Sequence, residues 1–296
     1  MLFTDIKFNY FAKDPAVVNY GGKYYLYYTF KYSEQNKFGI GIAYSTDMEN
    51  WVQADYFPET QKCETNGICA PAAIVIDDVI HMFYQTYGNG ADDAICHAMS
   101  MDGINFIKDE TNPVYHPPKT WCCGRAIDAD VCVFNNKLYL YFATRDHKLE
   151  VQKIGVASAS LNSKLSRSDF KEEHSSSVIA PEYRWEQKCI EAPATIVHNN
   201  KIYMFYAGAY NCSPQQIGCA VSNDGILFER LFDKPFITNG EKGTWNENES
   251  GHPYVFEDVD GRIHLFYQGT KDMGKTWYLS RVEIAFDEKG VPYIIN

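Results

Sequence analysis

The sequence predicts an all-β fold, a five-bladed β-propeller, and three observations support this prediction. A pattern of two strands joined by a polar turn recurs along the 296 residues, with a period of roughly 55 to 63 residues. Tyrosine and phenylalanine, which favour strands, number 22 and 18. Asp-Gly turn signals follow the third strand in two copies of the repeat. Because the repeat covers nearly the whole chain, we expect one domain over residues 1–296.

Each copy opens with an apolar, β-branched run and returns as an aromatic strand after a polar turn. The opening runs are 14–18, 69–75, 128–133, 191–197 and 252–256, and the aromatic runs are 23–28, 81–84, 137–141, 201–206 and 263–267. Pairs of this kind are typical of β-hairpins. A third strand and a connecting fourth strand complete each copy, so we predict four-stranded blades around a central channel.

Composition excludes several classes of protein. No apolar run approaches the ~20 residues of a membrane span, so no membrane association is expected. The first residues lack a basic region followed by a long apolar core, which predicts no secretory signal and a cytoplasmic location. The nine cysteines contain no Cys-x-x-Cys pair and are interpreted as mostly buried, reduced thiols. The net charge of −11 argues against nucleic-acid binding, which needs a basic patch.

The residues that open the five innermost strands point to a site on the propeller axis. They are Asp14, Cys69, Asp128, Glu191 and His252. In a propeller the innermost strands line the channel, so these side chains are expected to face one another at one level. Carboxylates are rarely buried unless they are paired, and clustered like charges raise at least one pKa. The alternative is that these residues cap strand ends or bind an ion.

Five short motifs carry a resemblance to a known family. They are Lys13-Asp14-Pro15, Cys69-Ala70-Pro71, Ala126-Ile127-Asp128, Ile190-Glu191-Ala192-Pro193 and Gly251-His252. In order and spacing the chain resembles glycoside hydrolase family 43, whose members are five-bladed propellers acting on arabinofuranosides and xylosides. Cys69 stands where that family usually has a tryptophan. The resemblance implies a glycosidase whose partner is a small carbohydrate or oligosaccharide.

The resemblance also implies an inverting mechanism with three carboxylates. Asp14 would be the general base that activates water, Glu191 the general acid, and Asp128 the residue that keeps Glu191 protonated. Inversion needs the acid and base on opposite faces of the sugar, ~6.5–9.5 Å apart, and blades one and four are not adjacent in a five-fold ring. No cofactor is required. The family's fifth-blade histidine can help to bind a calcium or halide ion, which makes His252 a candidate ion ligand as well.

Asp130 is a second candidate for the role of Asp128. It lies two residues further along the same strand, so both side chains are expected on one face. The family register favours Asp128. We therefore expect Asp130 deeper in the channel, bonded to backbone or to an ion.

Other polar and aromatic residues are candidates for binding the sugar. They are Trp121, Arg125, Arg145, Asp146, Trp185, Gln215, Gln216, Glu249 and His252. Aromatic faces stack on sugar rings, and planar Arg and Gln groups bind hydroxyl pairs. For each tryptophan the alternative is packing within a blade. Arg125 is expected to pair with one of the three acids and to lower its pKa.

Three other functions stay open. A retaining enzyme like the fructosidases would carry Arg-Asp-Pro at the third-blade acid, where this chain has Ile127-Asp128-Ala129. A glycoside phosphorylase would need several cations converging on phosphate, and the sequence offers chiefly Arg125 and Arg145. A non-catalytic carbohydrate-binding propeller would not need a base opposite an acid. The sugar, the linkage and the oligomeric state stay open.

Overall fold

Five antiparallel sheets of four strands each form the computed structural model, which describes residues 2–32 and 36–295. Blade 1 contains β1 (Lys13–Tyr20), β2 (Lys23–Lys31), β3 (Phe38–Ser45) and β4 (Val52–Phe57). Blade 2 contains β5 (Ile68–Ile76), β6 (Val79–Thr86), β7 (Ile95–Ser100) and β8 (Phe106–Lys108). Two short 3-10 helices, Lys62–Glu64 and Gly90–Asp92, lie at the edges of blade 2.

The remaining blades repeat this order. Blade 3 contains β9 (Ile127–Phe134), β10 (Lys137–Arg145), β11 (Gln152–Ser160) and β12 (Lys171–Glu172). Blade 4 contains β13 (Ile190–His198), β14 (Lys201–Gly208), β15 (Gln216–Ser222) and β16 (Phe228–Arg230). Blade 5 contains β17 (Glu249–Glu257), β18 (Ile263–Thr270), β19 (Tyr278–Phe286) and β20 (Pro292–Ile295). The predicted five-bladed propeller is confirmed.

The first strand of each blade faces the channel. β1, β5, β9, β13 and β17 contact one another in sequence around the ring, and β17 returns to β1. The aromatic second strands bury their side chains between blades, and Tyr27, Tyr84, Tyr141 and Tyr206 are fully buried. Large rings of this kind supply most of the apolar area that holds neighbouring sheets together. All nine cysteines are free and six of them are buried.

The N-terminal segment closes the ring against blade 5. Phe3 and Leu279 exchange two backbone hydrogen bonds, each of 2.8 Å. Further along, the amide of Trp277 donates to the carbonyl of Tyr10 at 2.8 Å, and the amide of Ala12 donates to the carbonyl of Trp277 at 3.2 Å. The chain therefore enters β1 already attached to the last blade. Among the described residues, no helix is long and apolar enough to cross a membrane.

Every inner strand contains a β-bulge at the same place. The residue at the bulge has a positive φ in all five blades: Asp14 (52°), Ala70 (48°), Asp128 (49°), Ala192 (49°) and His252 (41°). The pairing with the second strand is interrupted at each of these residues. Bulges re-aim side chains and are common beside active sites.

The position of the bulge shows that the predicted register, in which the five opening residues are equivalent, was wrong in two blades. Asp14, Asp128 and His252 occupy the bulge itself. Cys69 and Glu191 lie one residue earlier, because the bulge residues of their blades are Ala70 and Ala192. The five opening residues are therefore not strictly equivalent. Glu191 takes the position that Lys13 has in blade 1, so Glu191 and Asp14 occupy neighbouring positions of the repeat and not the same one.

Candidate active site

A cavity of about 270 Å³ lies on the propeller axis and is lined by Asp14, Asp128 and Glu191. These three side chains come from blades 1, 3 and 4. Each residue is at most 8% exposed, so each carboxyl group lies in a poorly solvated environment. Three acids distant in the chain thus converge on one space, which is the arrangement that the sequence motifs predicted.

A second cavity of about 420 Å³ is lined by later residues of the inner strands, among them Asp130 and Thr195. Most of its lining is apolar. One carboxylate oxygen of Asp130 accepts hydrogen bonds from the backbone amide of Thr195 at 2.7 Å and from its hydroxyl at 2.5 Å. Asp130 is therefore bonded to backbone in a different cavity from Asp128, because the bulge at Asp128 breaks the alternation of the strand.

Asp14 is surrounded by groups that favour its ionised form. Nδ1 of His252 lies 3.0 Å from its carboxylate, and Nζ of Lys13 lies 3.9 Å away. Burial alone would raise the pKa of Asp14, but the charges of His252 and Lys13 outweigh burial and hold this pKa well below its usual range. In return, Asp14 outweighs the burial of His252 and raises the pKa of that imidazole. Asp14 is therefore a carboxylate at neutral pH.

The surroundings of Glu191 and Asp128 favour the protonated form, in contrast to those of Asp14. Burial raises the pKa of Glu191, and only part of this shift is offset by His252 and Lys13. Burial and the nearby charge of Glu191 raise the pKa of Asp128 to about 7. Two close carboxyl groups in a poorly solvated site cannot both ionise easily. The pair therefore retains a proton near neutral pH, while Asp14 has lost its own.

Glutamine side chains hold all three acids in place. Nε2 of Gln215 donates to Glu191 at 2.7 Å, and Nε2 of Gln152 donates to its other oxygen. Oε1 of Gln85 accepts the backbone amide of Asp128 at 2.6 Å, and Oε1 of Gln268 accepts that of Asp14 at 3.1 Å. These amides belong to residues in the strained bulge conformation, so the glutamines stabilise a backbone that strand pairing leaves unpaired.

Two predicted sugar-binding residues, Gln215 and Glu249, lie behind the cavity wall. Both are fully buried. Gln215 bridges Glu191 and the backbone amide of His252, at 2.7 and 3.2 Å. The absence of a side chain at Gly251 makes room for it, since a Cβ there would collide with Oε1 of Gln215. Glu249 accepts from Nε2 of Gln268 at 2.7 Å and thereby orients the amide that holds Asp14.

Arg125, Arg145 and His252 line the central cavity, as the sequence analysis expected. The expected ion pair of Arg125 with one of the three acids is not present. Its guanidinium instead reaches Asp93 at 3.4 Å. Arg145 donates from Nε to Gln152 at 2.8 Å, and its guanidinium lies 5.4 Å from the ring centre of Tyr210.

Four predicted binding residues lie away from the cavity lining. Trp121 donates to Glu172 and packs on Gly155, and Trp185 packs on Gly208, so both indoles fill space within blades. Asp146 accepts two backbone amides of the turn between β10 and β11. Gln216 is a strand residue paired with Gly208. At these four positions, the sequence features that suggested sugar binding reflect blade packing and turn formation.

The expected contact of His252 with a calcium or halide ion stays a prediction. Nδ1 of His252 bonds Asp14, and calcium prefers oxygen ligands in larger numbers. Within residues 2–32 and 36–295, no group of three His, Cys, Asp or Glu side chains is arranged to hold a metal ion. We therefore derive no chemical step through an ion.

Sequence reasoning missed several residues of the site. Lys13, Gln152, Phe38 and Tyr87 line the cavity, and none was a candidate. Gln85 and Gln268 were missed as well, although a signal existed. The tripeptide Phe-Tyr-Gln lies near the end of the second strand in blades 2 and 5, at 83–85 and 266–268. A polar residue repeated at the end of a buried aromatic strand indicates a shared structural role.

Comparisons with known proteins identify a matching family and solved structures with a similar fold. The family model described as glycosyl hydrolases family 43 matches residues 7–290. A thermostable family-43 glycoside hydrolase has a similar fold, with a TM-score of 0.78, 21% identity and coverage of 96% of this chain and 93% of the other. An exo-1,5-α-L-arabinanase from a bovine ruminal metagenomic library has a TM-score of 0.74 and 18% identity, with 99% and 100% coverage.

A curated relative with a different activity matches a shorter region. The β-1,2-mannobiose phosphorylase of Thermoanaerobacter sp. (strain X514) is 30% identical over 122 residues. The match covers 36% of this chain and 38% of that relative.

Proposed function

The chain belongs to glycosyl hydrolase family 43, and on that premise we propose that it is an inverting glycosidase that releases a terminal pentosyl residue of the arabinofuranoside or xyloside type. One observation carries the proposal. A single cavity holds one carboxyl group whose pKa is lowered and a coupled pair whose pKa values are raised. Carboxyl groups with opposed pKa values are the signature of an acid and a base working together.

In this mechanism Asp14 accepts a proton from water as the water attacks the anomeric carbon. Glu191 donates its proton to the leaving oxygen, and Asp128 keeps that proton on the pair in the resting enzyme. Asp14 then carries the proton, Glu191 is ionised, and exchange with solvent restores both. The oxocarbenium-like transition state is stabilised by the negative charge around the cavity.

The cavity volume supports action on one sugar ring at a time. At about 270 Å³, it is slightly smaller than the roughly 300–1,000 Å³ found for ligand pockets. The structural similarity to an arabinanase makes arabinofuranosides the first substrates to test, followed by xylosides, galactosides and fructosides.

Phosphorolysis is the second candidate, because a phosphorylase is a curated relative and because Lys13, Arg125 and Arg145 line the cavity. The ionised Asp14 argues against it. A phosphate nucleophile would have to approach on the side of the base, where a carboxylate repels it, whereas water needs that carboxylate. Turnover that depends on added phosphate would favour phosphorolysis.

The experiment is a panel of aryl glycosides tested with wild type, Glu191→Gln and Asp14→Asn. With a poor leaving group, Glu191→Gln is expected to lose about 10²–10⁴-fold in kcat/KM, and with dinitrophenol the loss should nearly vanish. Asp14→Asn should lose activity equally on both, because water activation does not depend on the leaving group. Equal losses for Glu191→Gln on both substrates would contradict its role as the acid.

A further inference from the structure

Lys13, Arg125 and Arg145 all line the central cavity, but their positive charges have different partners. Lys13 lies 3.9 Å from Asp14 and 4.6 Å from the ring centre of Trp277, so its charge has partners on the side of the base. Arg145 has no carboxylate partner among the described residues. Its contacts are the bond from Nε to Gln152 and the ring of Tyr210, and neither neutralises its charge.

Arg145 lies on the side of the general acid. Gln152 accepts from Nε of Arg145 at 2.8 Å through its oxygen and donates to Glu191 through its nitrogen. One amide group therefore separates the guanidinium from the carboxyl group that protonates the leaving oxygen. The two terminal nitrogens of the Arg145 guanidinium are available to bind a ligand in the central cavity.

Arg125 lies where the central cavity meets a neighbouring one. That neighbouring cavity has a volume of about 480 Å³, and both cavities share Tyr87 and Arg125 in their walls. The contact of Arg125 with Asp93 is long, at 3.4 Å, and its Nε is buried without a hydrogen-bond partner among the described residues. A buried donor without a partner costs free energy, so the hydrogen-bonding capacity of the Arg125 guanidinium is incompletely satisfied in the resting protein.

An oxyanion on the substrate would supply the counter-charge that Arg145 lacks and would add a second one for Arg125, whose contact with Asp93 is long. A partly buried guanidinium without a counter-charge is costly, and the chain carries an overall charge of −11, so these cations are not part of a generally basic surface. Arginine is the side chain best suited to bind carboxylate or phosphate through two parallel hydrogen bonds.

We propose that the leaving-group side of the site, formed by Arg145, Arg125, Gln152 and Tyr210, binds an oxyanion carried by the substrate. The carboxylate of a uronic acid next to the scissile bond is the first source to test, and a sugar phosphate is the second. This inference rests on the proposed function, because it assigns the leaving group to the side of Glu191.

The test compares substrates that share one sugar and differ by a carboxylate on the aryl leaving group. Wild type is expected to prefer the carboxylated substrate by roughly tenfold or more in kcat/KM, and salt should weaken this preference. Arg145→Gln should abolish the preference and Arg145→Lys should retain part of it. Arg184→Gln, which removes an exposed arginine, is the control and should leave the preference unchanged. A wild type without preference, or a preference that survives in Arg145→Gln, overturns the proposal.

Calorimetric titration of the resting protein separates this proposal from the proposed function. Glucuronate and glucose 6-phosphate are compared with glucose, and inorganic phosphate is titrated alone. Tighter binding of glucuronate than of glucose, lost in Arg145→Gln, supports the oxyanion site even if no glycoside is hydrolysed. Tighter binding of glucose 6-phosphate alone identifies the oxyanion as a phosphoryl group. Binding of inorganic phosphate together with phosphate-dependent turnover would overturn the proposal, because the arginines would then hold a co-substrate.

Discussion

Asp14 and Glu191 line the same cavity but have different neighbours, and this difference determines their protonation. His252 and Lys13 lie beside Asp14 at 3.0 and 3.9 Å. Glu191 instead receives two neutral amide donors, from Gln152 and Gln215. A cation stabilises a carboxylate much more strongly than a neutral amide does. In the proposed mechanism, two carboxyl groups thus serve as base and acid because their neighbours differ.

The substitution His252→Gln tests this difference through the pH dependence of kcat/KM. In wild type the acidic limb should follow Asp14 and lie well below its usual pKa, and the basic limb should follow the raised pKa values of the Asp128–Glu191 pair. Loss of the imidazolium raises the pKa of Asp14, so the acidic limb should move up by about one to three pH units. An acidic limb that does not move would show that His252 does not act through Asp14.

The residues that could be predicted from sequence are those with short motifs around them. Asp14, Asp128 and Glu191 follow from short motifs in a fixed order. Gln152 belongs to no such motif, and the role of Lys13 beside Asp14 was missed although it stands in one, because the importance of both depends on which side chains meet after folding. Trp121 and Trp185 were misleading for the converse reason, since an indole beside a blade looks the same in sequence whether it stacks on a sugar or covers a glycine.

At the scale of the strand, the bulge accounts for the division of labour between Asp128 and Asp130. Regular alternation would place both side chains on one face. The bulge residue with φ of 49° at Asp128 breaks that alternation, so Asp128 lines the central cavity and Asp130 bonds Thr195 in the other one. Bulges leave no clear trace in the apolar pattern, which is why the sequence did not predict the register.

Gln268, near the end of β18, is predicted to position the base. In Gln268→Leu the amide of Asp14 loses its acceptor at 3.1 Å, and a small displacement of a catalytic group can lower kcat about 10- to 100-fold. KM should change little, and the acidic limb of the pH profile should move with Asp14. Thr195→Val is the control: it removes a hydroxyl contact to Asp130 in the other cavity, so it should lower stability without lowering kcat. Equal kcat losses in both variants would contradict a positioning role.

Blades 2 and 4 each contain a buried glutamate that makes equivalent contacts near the outer edge of the blade. In blade 4, Glu186 accepts from Tyr206 at 2.7 Å, from Nε of Arg230 at 2.8 Å and from two backbone amides of the loop before β13. In blade 2, Glu64 accepts equivalent bonds from Tyr84 and Lys108. Each glutamate ties the entering loop to the second and fourth strands of its blade.

We expect Glu186→Ala to lower the free energy of unfolding by about 3 kcal/mol, because the largely buried Arg230 then keeps only the exposed Glu182 as a carboxylate partner. Urea denaturation measures this loss. The double variant Glu186→Gln with Arg230→Met removes both charges and should recover much of the stability. A loss below about 1 kcal/mol, typical of an exposed ion pair, would contradict the structural role of this contact.

At the scale of the whole molecule, closure of the ring brings the distant motifs together. The bonds of Phe3 and Ala12 to the last blade fix the start of β1, and Asp14 follows directly. The repeat in the sequence predicted the number of blades, since each copy is one hairpin-based sheet. The closing contacts of the N-terminal segment could not be predicted, because they pair backbone groups across the full length of the chain and carry no motif.

The charge of the whole chain also differs from the charge at its site. The sequence is acidic, with a net charge of −11, yet Lys13, Arg125 and Arg145 meet at the axis. Residues far apart in sequence contribute these cations, so composition alone gave no indication of them. The fold concentrates them beside the acids, where they control protonation and, by our inference, the choice of leaving group.

The stereochemistry of the first product tests the central claim most directly. Proton NMR of a hydrolysed aryl pentoside, recorded before mutarotation, identifies the anomer that the wild-type protein releases. With Asp14 activating water opposite Glu191, the released sugar should have the inverted configuration. A product with retained configuration would mean that a carboxylate attacked the sugar itself, and it would contradict the assignment of Asp14 as a general base.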